Sequence, residues 1–398
     1  MRKSLKVSTV LAGSVRLTGL AGMITVLLMS CGDPVKSDPT VVIPEDTATT
    51  DVIRIAVTTI SADYSAANFE IISTDNYSVS QNLIPGLHTD NVVRTNGGDV
   101  YILERFGKDN VVKYNANEMT VEYQEHIGEG LNIQDIAFVS ETKAYISCHE
   151  SADLIVFNPK TGKSVSTIDL SRFNAYAGTD SAEAYPYAGA LAVYGDYLYA
   201  ACQRLNSSFE PADTSLIAVI DTRTDAIAAS VKLIKKNPAA MDIFGGKLLV
   251  SSSGDWSDVT AASAGIEMID LSVNENLGLI ADGGAFGGSL GNVIFISQSK
   301  AYATVMTASW TTDVVEFNPV TKTVGAKISG ISDGSGGLAY DGSKLYVGDR
   351  DFSAAGIAVV NTSTNTVERT ISTGMPPSGA AIIKKQFFSP HLSRRILY

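Results

Sequence analysis

An aromatic residue or leucine recurs at Tyr101, Tyr145, Tyr199, Leu249, Tyr302 and Tyr346, at spacings of 44, 54, 50, 53 and 44 residues. Each sits in a short apolar run: DVYILERF, KAYISCHES, DYLYAACQR, KLLVSSSGDW, KAYATVMT and KLYVGDRDF. A self-similar unit of this length is one supersecondary module that cannot bury its apolar face alone. The period therefore constrains the fold more tightly than any figure of composition.

A second run follows each of these at the same phase: VVKYN, LIVFN, IAVID, IEMID, VVEFN and IAVVN. Each ends in Asn or Asp and enters a turn such as NPKTGK, DTRTDA or NTSTNT, whose residues tolerate αL or fix φ. A third run comes next (SVSTI, AIAAS, TVERTI), and another precedes the aromatic motif (DIAFV, ALAVY, AMDIF, NVIFI, GLAYD). Every unit is thus four short strands with tight turns. Strands at even spacing in units of this size predict an all-β, seven-bladed β-propeller of four-stranded blades rather than a sandwich.

The ends of the domain supply the seventh blade. Residues 52–83 hold a second, third and fourth strand but no first, and SGAAIIKK (378–385) is a first strand with nothing after it. Pairing them closes the ring through the N- and C-terminal strands and removes the open sheet edges that invite aggregation. The propeller is expected over 52–385, with 386–398 (QFFSPHLSRRILY) as a C-terminal tail that matches no strand of the repeat. The signature KAYISC…LIVFNPKTGKSVSTIDL resembles the YVTN or YncE-like family of bacterial seven-bladed propellers. None of the six full units reads YVTN. The resemblance implies fold and says little of function, because this architecture hosts enzymes, binders and surface-layer proteins alike.

Upstream, Arg2, Lys3, Lys6 and Arg16 flank an uncharged stretch, 19–30. Its 12 residues fall short of the roughly 20 needed to cross a bilayer as a helix, so residues 1–30 read as an export signal. Leu28-Met29-Ser30-Cys31 resembles a bacterial lipobox, which implies lipidation of Cys31. Gly32 after it implies the outer membrane by likeness to the enterobacterial sorting rule. Residues 31–51, rich in Pro, Thr and Asp, then serve as a disordered tether. Removal of 1–30 leaves 26 basic against 42 acidic residues, a net charge of −16. That excludes nucleic acid as a partner and leaves the lipid as the membrane contact.

In a propeller the loops after the second and fourth strands share one face, and here they are long and chemically varied. They bring Arg105, His149, Tyr187, Arg204, Trp256, Trp310, Arg350 and Phe352 toward that face, with His88 and Tyr185. Aromatics with a few polar groups around a concavity suit a ligand site. The recurrence DYS, DWS, DFS (from Asp63, Asp255 and Asp351) reads as an Asx-turn whose aromatic covers a blade interface. Calcium on Asp349 and Asp351, or Asp255 and Asp258, is the competing reading; without a regular oxygen-rich loop, no metal site is assigned. Cys148 and Cys202 hold the same register in neighbouring blades, beyond the roughly 7 Å Cα limit of a disulfide, and are expected as buried free thiols.

HExxH, GxSxG and CxxCH are absent, and GGAFGGSLG (283–291) precedes no helix, which removes a dinucleotide reading. No cofactor is expected. The sequence favours a monomeric, lipid-anchored envelope module binding a protein, small molecule or glycan through its loop-rich face. A lactonase-like hydrolase on that face, with Glu104 or His149 as base near Arg105 or Arg350, is the alternative. A quinoprotein-like dehydrogenase ranks third, for want of its repeated tryptophan motif.

Overall fold

A computed structural model describes residues 53–176, 185–212, 214–258 and 260–384. Cys31, the export signal, the tether and the tail lie outside them. Seven four-stranded antiparallel sheets make seven blades. Blade one joins Pro377–Ile383 to Arg54–Ile60, Ala67–Ser73 and a two-residue outer strand, Val79–Ser80. Its first two strands pair in register from Arg54↔Ile383 to Thr58↔Gly379, so the two ends of the domain close the ring. Blades two to seven follow in chain order, their inner strands starting at Asn91, Ile133, Ala188, Pro238, Ser289 and Leu338.

The second and third strands are apolar throughout because both their faces are covered. KAYISC and LIVF are buried almost without interruption, whereas the outer strand Lys163–Asp169 buries only Ile168. The core is accordingly divided into seven clusters, one at each blade–blade interface. The pairing of third with fourth strand shifts register by a bulge in each of blades two to seven. Such bulges increase the local right-handed twist, which a blade requires.

The Asn or Asp that ends each third strand has a defined job. Asn158 Oδ1 accepts from the backbone N–H of Lys160 at 3.0 Å, and Asn115, Asp221, Asp270, Asn318 and Asn361 do the same two residues on. Each turn then passes through one left-handed residue: Met119, Gly162, Asp225, Asn274, Lys322 or Asn365. Three of those residues receive recurring tyrosines. The hydroxyl of Tyr145 donates to Asp225 at 2.5 Å, that of Tyr199 to Asn274 at 2.9 Å and that of Tyr302 to Asn365, each in the next blade. These rings are fully buried, and an unpaired hydroxyl there would cost about 1–3 kcal/mol. Tyr346 instead donates to Asp341 of its own blade, at 2.8 Å. At three positions the repeat thus carries an interblade staple.

Gly348 interrupts KLYVGD for a steric reason. A Cβ there would lie 2.3 Å from the carbonyl oxygen of Gly336, so two backbones meet where blade seven narrows. GGAFGGSLG departs from expectation by containing one helical turn, Gly283–Phe286, capped by Asp282 Oδ1 on the N–H of Ala285 at 2.9 Å. Cys148 and Cys202 are buried free thiols, as their register requires. Burial pushes the Cys202 thiol up to about 12.

Candidate functional site

Chain direction sorts the loops by face. The second strands run toward the long loops, so residues 61–66, 105–109, 149–152, 203–212, 253–258, 260–264, 307–311 and 350–355 share one rim. The described domain begins and ends at the paired residues Arg54 and Ile383, on the opposite, short-turn face.

Each long-loop rim position except that of blade three holds out one aromatic side chain. Tyr64, Phe106, Phe209, Trp256, Trp310 and Phe352 are between 55% and 79% exposed. Among the described residues no other aromatic is as exposed; Tyr194 and Phe244, elsewhere, reach 43%. Scattered exposed apolar residues are ordinary; confinement of the most exposed rings to one rim is not.

Local chemistry shows how the chain keeps them out. Asp63, Asp255 and Asp351 each accept, through Oδ1, the hydroxyl and backbone N–H of the serine two residues on, at 2.6 to 3.1 Å. The intervening Tyr64, Trp256 and Phe352 are 61%, 64% and 65% exposed. The Asx-turn expectation holds, but its aromatic points to solvent instead of covering a blade interface. The acids proposed for calcium are committed to the same task. Asp349 accepts from the N–H groups of Ser332, Asp333 and Asp351, and Asp258 from Thr260 and Ser263.

The expected site residues fall into three groups. Trp256 and Trp310 line one cleft of about 460 Å3 between blades five and six, with Asp255, Asp258 and Met306. Arg105 and His149 lie at the mouth of the central channel, a space of about 680 Å3 walled by all seven inner strands. Arg105 donates to Asp90 and Gln134, both at 2.8 Å, and Arg94 pairs with buried Asp135 at 2.7 Å. His149 Nε2 is buried with no hydrogen-bond partner among the described residues. Burial, then the charge of Arg105, pushes its imidazole down to about 3, so the ring is neutral. The remaining residues hold the scaffold or the rim. Tyr187 is buried against His149 and Phe209, and Arg204 donates to the carbonyls of Phe173 and Thr214. Arg350 has a buried Nε with no partner among the described residues, and Phe352 stands on the rim.

The sequence reading did not single out Arg94, Gln134, Gln203 and Asp242 in the channel, nor Tyr64, Phe106 and Phe209 on the rim. The rim aromatics were only partly detectable: each unit but one carries an aromatic in the loop after its second strand, but at differing distances from the strand, from Phe106 directly after Arg105 to Phe209 well inside its loop.

Asp242 allows a pH test. Burial pushes its carboxyl up to about 6, against N–H bonds from Phe295, at 2.6 Å, and Ile243. An acid raised in the folded state contributes stability below its unfolded value near 3.8 and loses it as pH rises through 6. Asp242→Asn keeps an acceptor for Phe295 and removes this loss. Its melting temperature should gain on the wild type between pH 4 and pH 7, by on the order of 1–3 kcal/mol of stability. Parallel thermal melts check this; equal profiles would refute it.

No family model matches this chain, and no curated protein matches it. Solved structures do. Hydrazine synthase of Kuenenia stuttgartiensis is 15% identical over 75% of this chain and 92% of that one, with a TM-score of 0.56. The dihydro-heme d1 dehydrogenase NirN, in complex with DHE, is 13% identical over 82% and 74%, at 0.51. Apo AztD from Citrobacter koseri is 9% identical over 84% and 98%, at 0.52. Identities this low carry the fold alone.

Proposed function

We propose that this chain is a binding or scaffold propeller of the bacterial cell envelope, of YVTN-like lineage, anchored by lipid at Cys31 and facing its partner with the aromatic rim. The observation that carries this reading is the rim: six of seven blades expose one aromatic at the same loop, three of them on the same Asx device. Holding large rings in water is unfavourable, at about 25 cal/mol per Å2 of apolar surface, and partner burial recovers that free energy. Arg54 and Ile383, paired in blade one, lie on the face opposite the rim. The partner is a protein, glycan or small molecule of the envelope, met by a monomeric propeller in the outer membrane.

The structural neighbours include a synthase, a dehydrogenase and AztD, so the shared fold does not choose between binding and catalysis. The residues do weigh on it. A hydrolase on this face would use Glu104 or His149 as base, yet Glu104 holds three hydrogen-bond donors, and burial pushes the His149 imidazole down to about 3, which makes it a weak base.

A two-part experiment tests the proposal. Cys31→Ser should abolish incorporation of labelled palmitate; persistent labelling would remove the anchor. The soluble Cys31→Ser protein should rebind saturably to isolated envelope fractions, whereas a variant with all six rim aromatics changed to Ser should melt within a few degrees of it and rebind at least ten-fold more weakly. Equal rebinding by the two would overturn the binding claim.

A further inference from the structure

We propose that the cleft between blades five and six is a site for a small organic cation with a quaternary ammonium head. The inference refines the rim reading at two of its six members and needs from it only that the face is open.

The cleft has the size of a small-molecule site. Its two indoles, Trp256 and Trp310, are 64% and 79% exposed, and indole faces bind cations better than other aromatic rings. The lining also carries two carboxylates, Asp255 and Asp258, and no Lys or Arg among the described residues. Hydrogen bonds from Ser257, and from Thr260 and Ser263, hold both below the usual carboxylate range, so both are charged at neutral pH. Lys236 is the cation acting on Asp255. Gly287 and Gly288 leave the floor without side chains, and a Cβ on Gly288 would lie 2.1 Å from the carbonyl oxygen of Met306. Met306 adds a polarizable thioether to the wall.

The hydrogen bonds decide between a cation and a sugar. Asp258 Oδ1 serves Thr260 and its Oδ2 serves Ser263, while Asp255 Oδ1 serves Ser257. Three of the four carboxylate oxygens thus already accept hydrogen bonds and have less to offer a ligand hydroxyl, yet both groups keep their full charge. A quaternary ammonium donates no conventional hydrogen bond and asks only for negative potential and π faces. The chain's net charge of −12 raises the local concentration of such cations.

Both tryptophans of the protein line this cleft, so its tryptophan emission reports on the cleft alone. Titration of the full chain with choline or tetramethylammonium, at constant ionic strength, should give a saturable change in emission. The uncharged isostere 3,3-dimethyl-1-butanol should bind at least about ten-fold more weakly than choline. Asp255→Asn preserves the Asx-turn and removes one charge; it and the Asp255→Asn/Asp258→Asn double variant should weaken choline by similar or larger factors. Absence of a saturable change, an equal midpoint for the neutral alcohol, or full choline affinity in Asp255→Asn would overturn the proposal. Loss of envelope rebinding in the six-fold rim variant tests the rim separately.

Discussion

A chain ended at Pro376 should not form a monomeric propeller, whereas one ended at Lys384 should match the full chain in melting temperature. The difference is the strand Pro377–Ile383, the inner strand of blade one. Without it Arg54–Ile60 loses a whole ladder of backbone bonds and becomes an open edge facing the channel. Ile383, 1% exposed, leaves the cluster shared by blades one and two, and Ala380 and Ile382 leave the one shared by blades seven and one. Two further ties go with it: the hydroxyl of Thr95 to the carbonyl of Ile382, at 2.7 Å, and the N–H of Lys384 to Gly97. The loss falls on two interfaces at once and is comparable with the roughly 5–15 kcal/mol that stabilises a domain. Size-exclusion chromatography and thermal melts should show aggregation or strand-swapped oligomers instead of a cooperative monomer. A peptide of residues 376–385 added in trans should restore part of the monomer. A cooperative monomer without the strand would refute the closure argument.

The strands and the closure were legible because they are local or periodic. KAYISC and LIVFN each carry their own apolar run, and a tyrosine, or Leu249 in one unit, marks the phase. The reason for the tyrosine was not legible, since Tyr145 and Asp225 are 80 residues apart and Thr95 and Ile382 are 287 apart. The loops were half legible. The Asp–aromatic–Ser triplet announced its turn, because a side chain bonding its own backbone two residues on is a local event. Where the aromatic went depended on neighbouring blades, so Trp256 and Phe352 were placed at an interface when they stand in solvent. Charged residues were hardest to assign. Arg105, Glu104 and Asp349 look alike as polar ends of strands, yet Glu104 and Asp349 are buried at 2% and 7% exposure and hold backbone N–H groups of the incoming loops.

Glu104→Ala is therefore expected to destabilise the protein by about 1.5–3 kcal/mol, the usual worth of hydrogen bonds to a charged group. Its Oε1 accepts the N–H of His88 at 2.8 Å; its Oε2 accepts Asn110 at 2.8 Å and Gln124 at 2.7 Å. Alanine leaves a cavity and takes the acceptor from the partly buried N–H of His88 and amide of Asn110, while Glu104→Gln keeps one acceptor and turns an amide toward the others. The order of stability should be wild type, then Gln, then Ala, read from denaturant midpoints at unchanged m-value. Glu267→Ala should behave likewise, because Glu267 holds the N–H groups of Ile234 and Lys235, both at 2.7 Å, and the amide of Asn276. The parallel is what separates structure from catalysis. Glu267 lies in another blade and was never a candidate base, so equal losses at the two positions assign both to holding the incoming loop. A Glu104→Gln protein as stable as wild type but deficient in a hydrolytic activity would return Glu104 to the role of base.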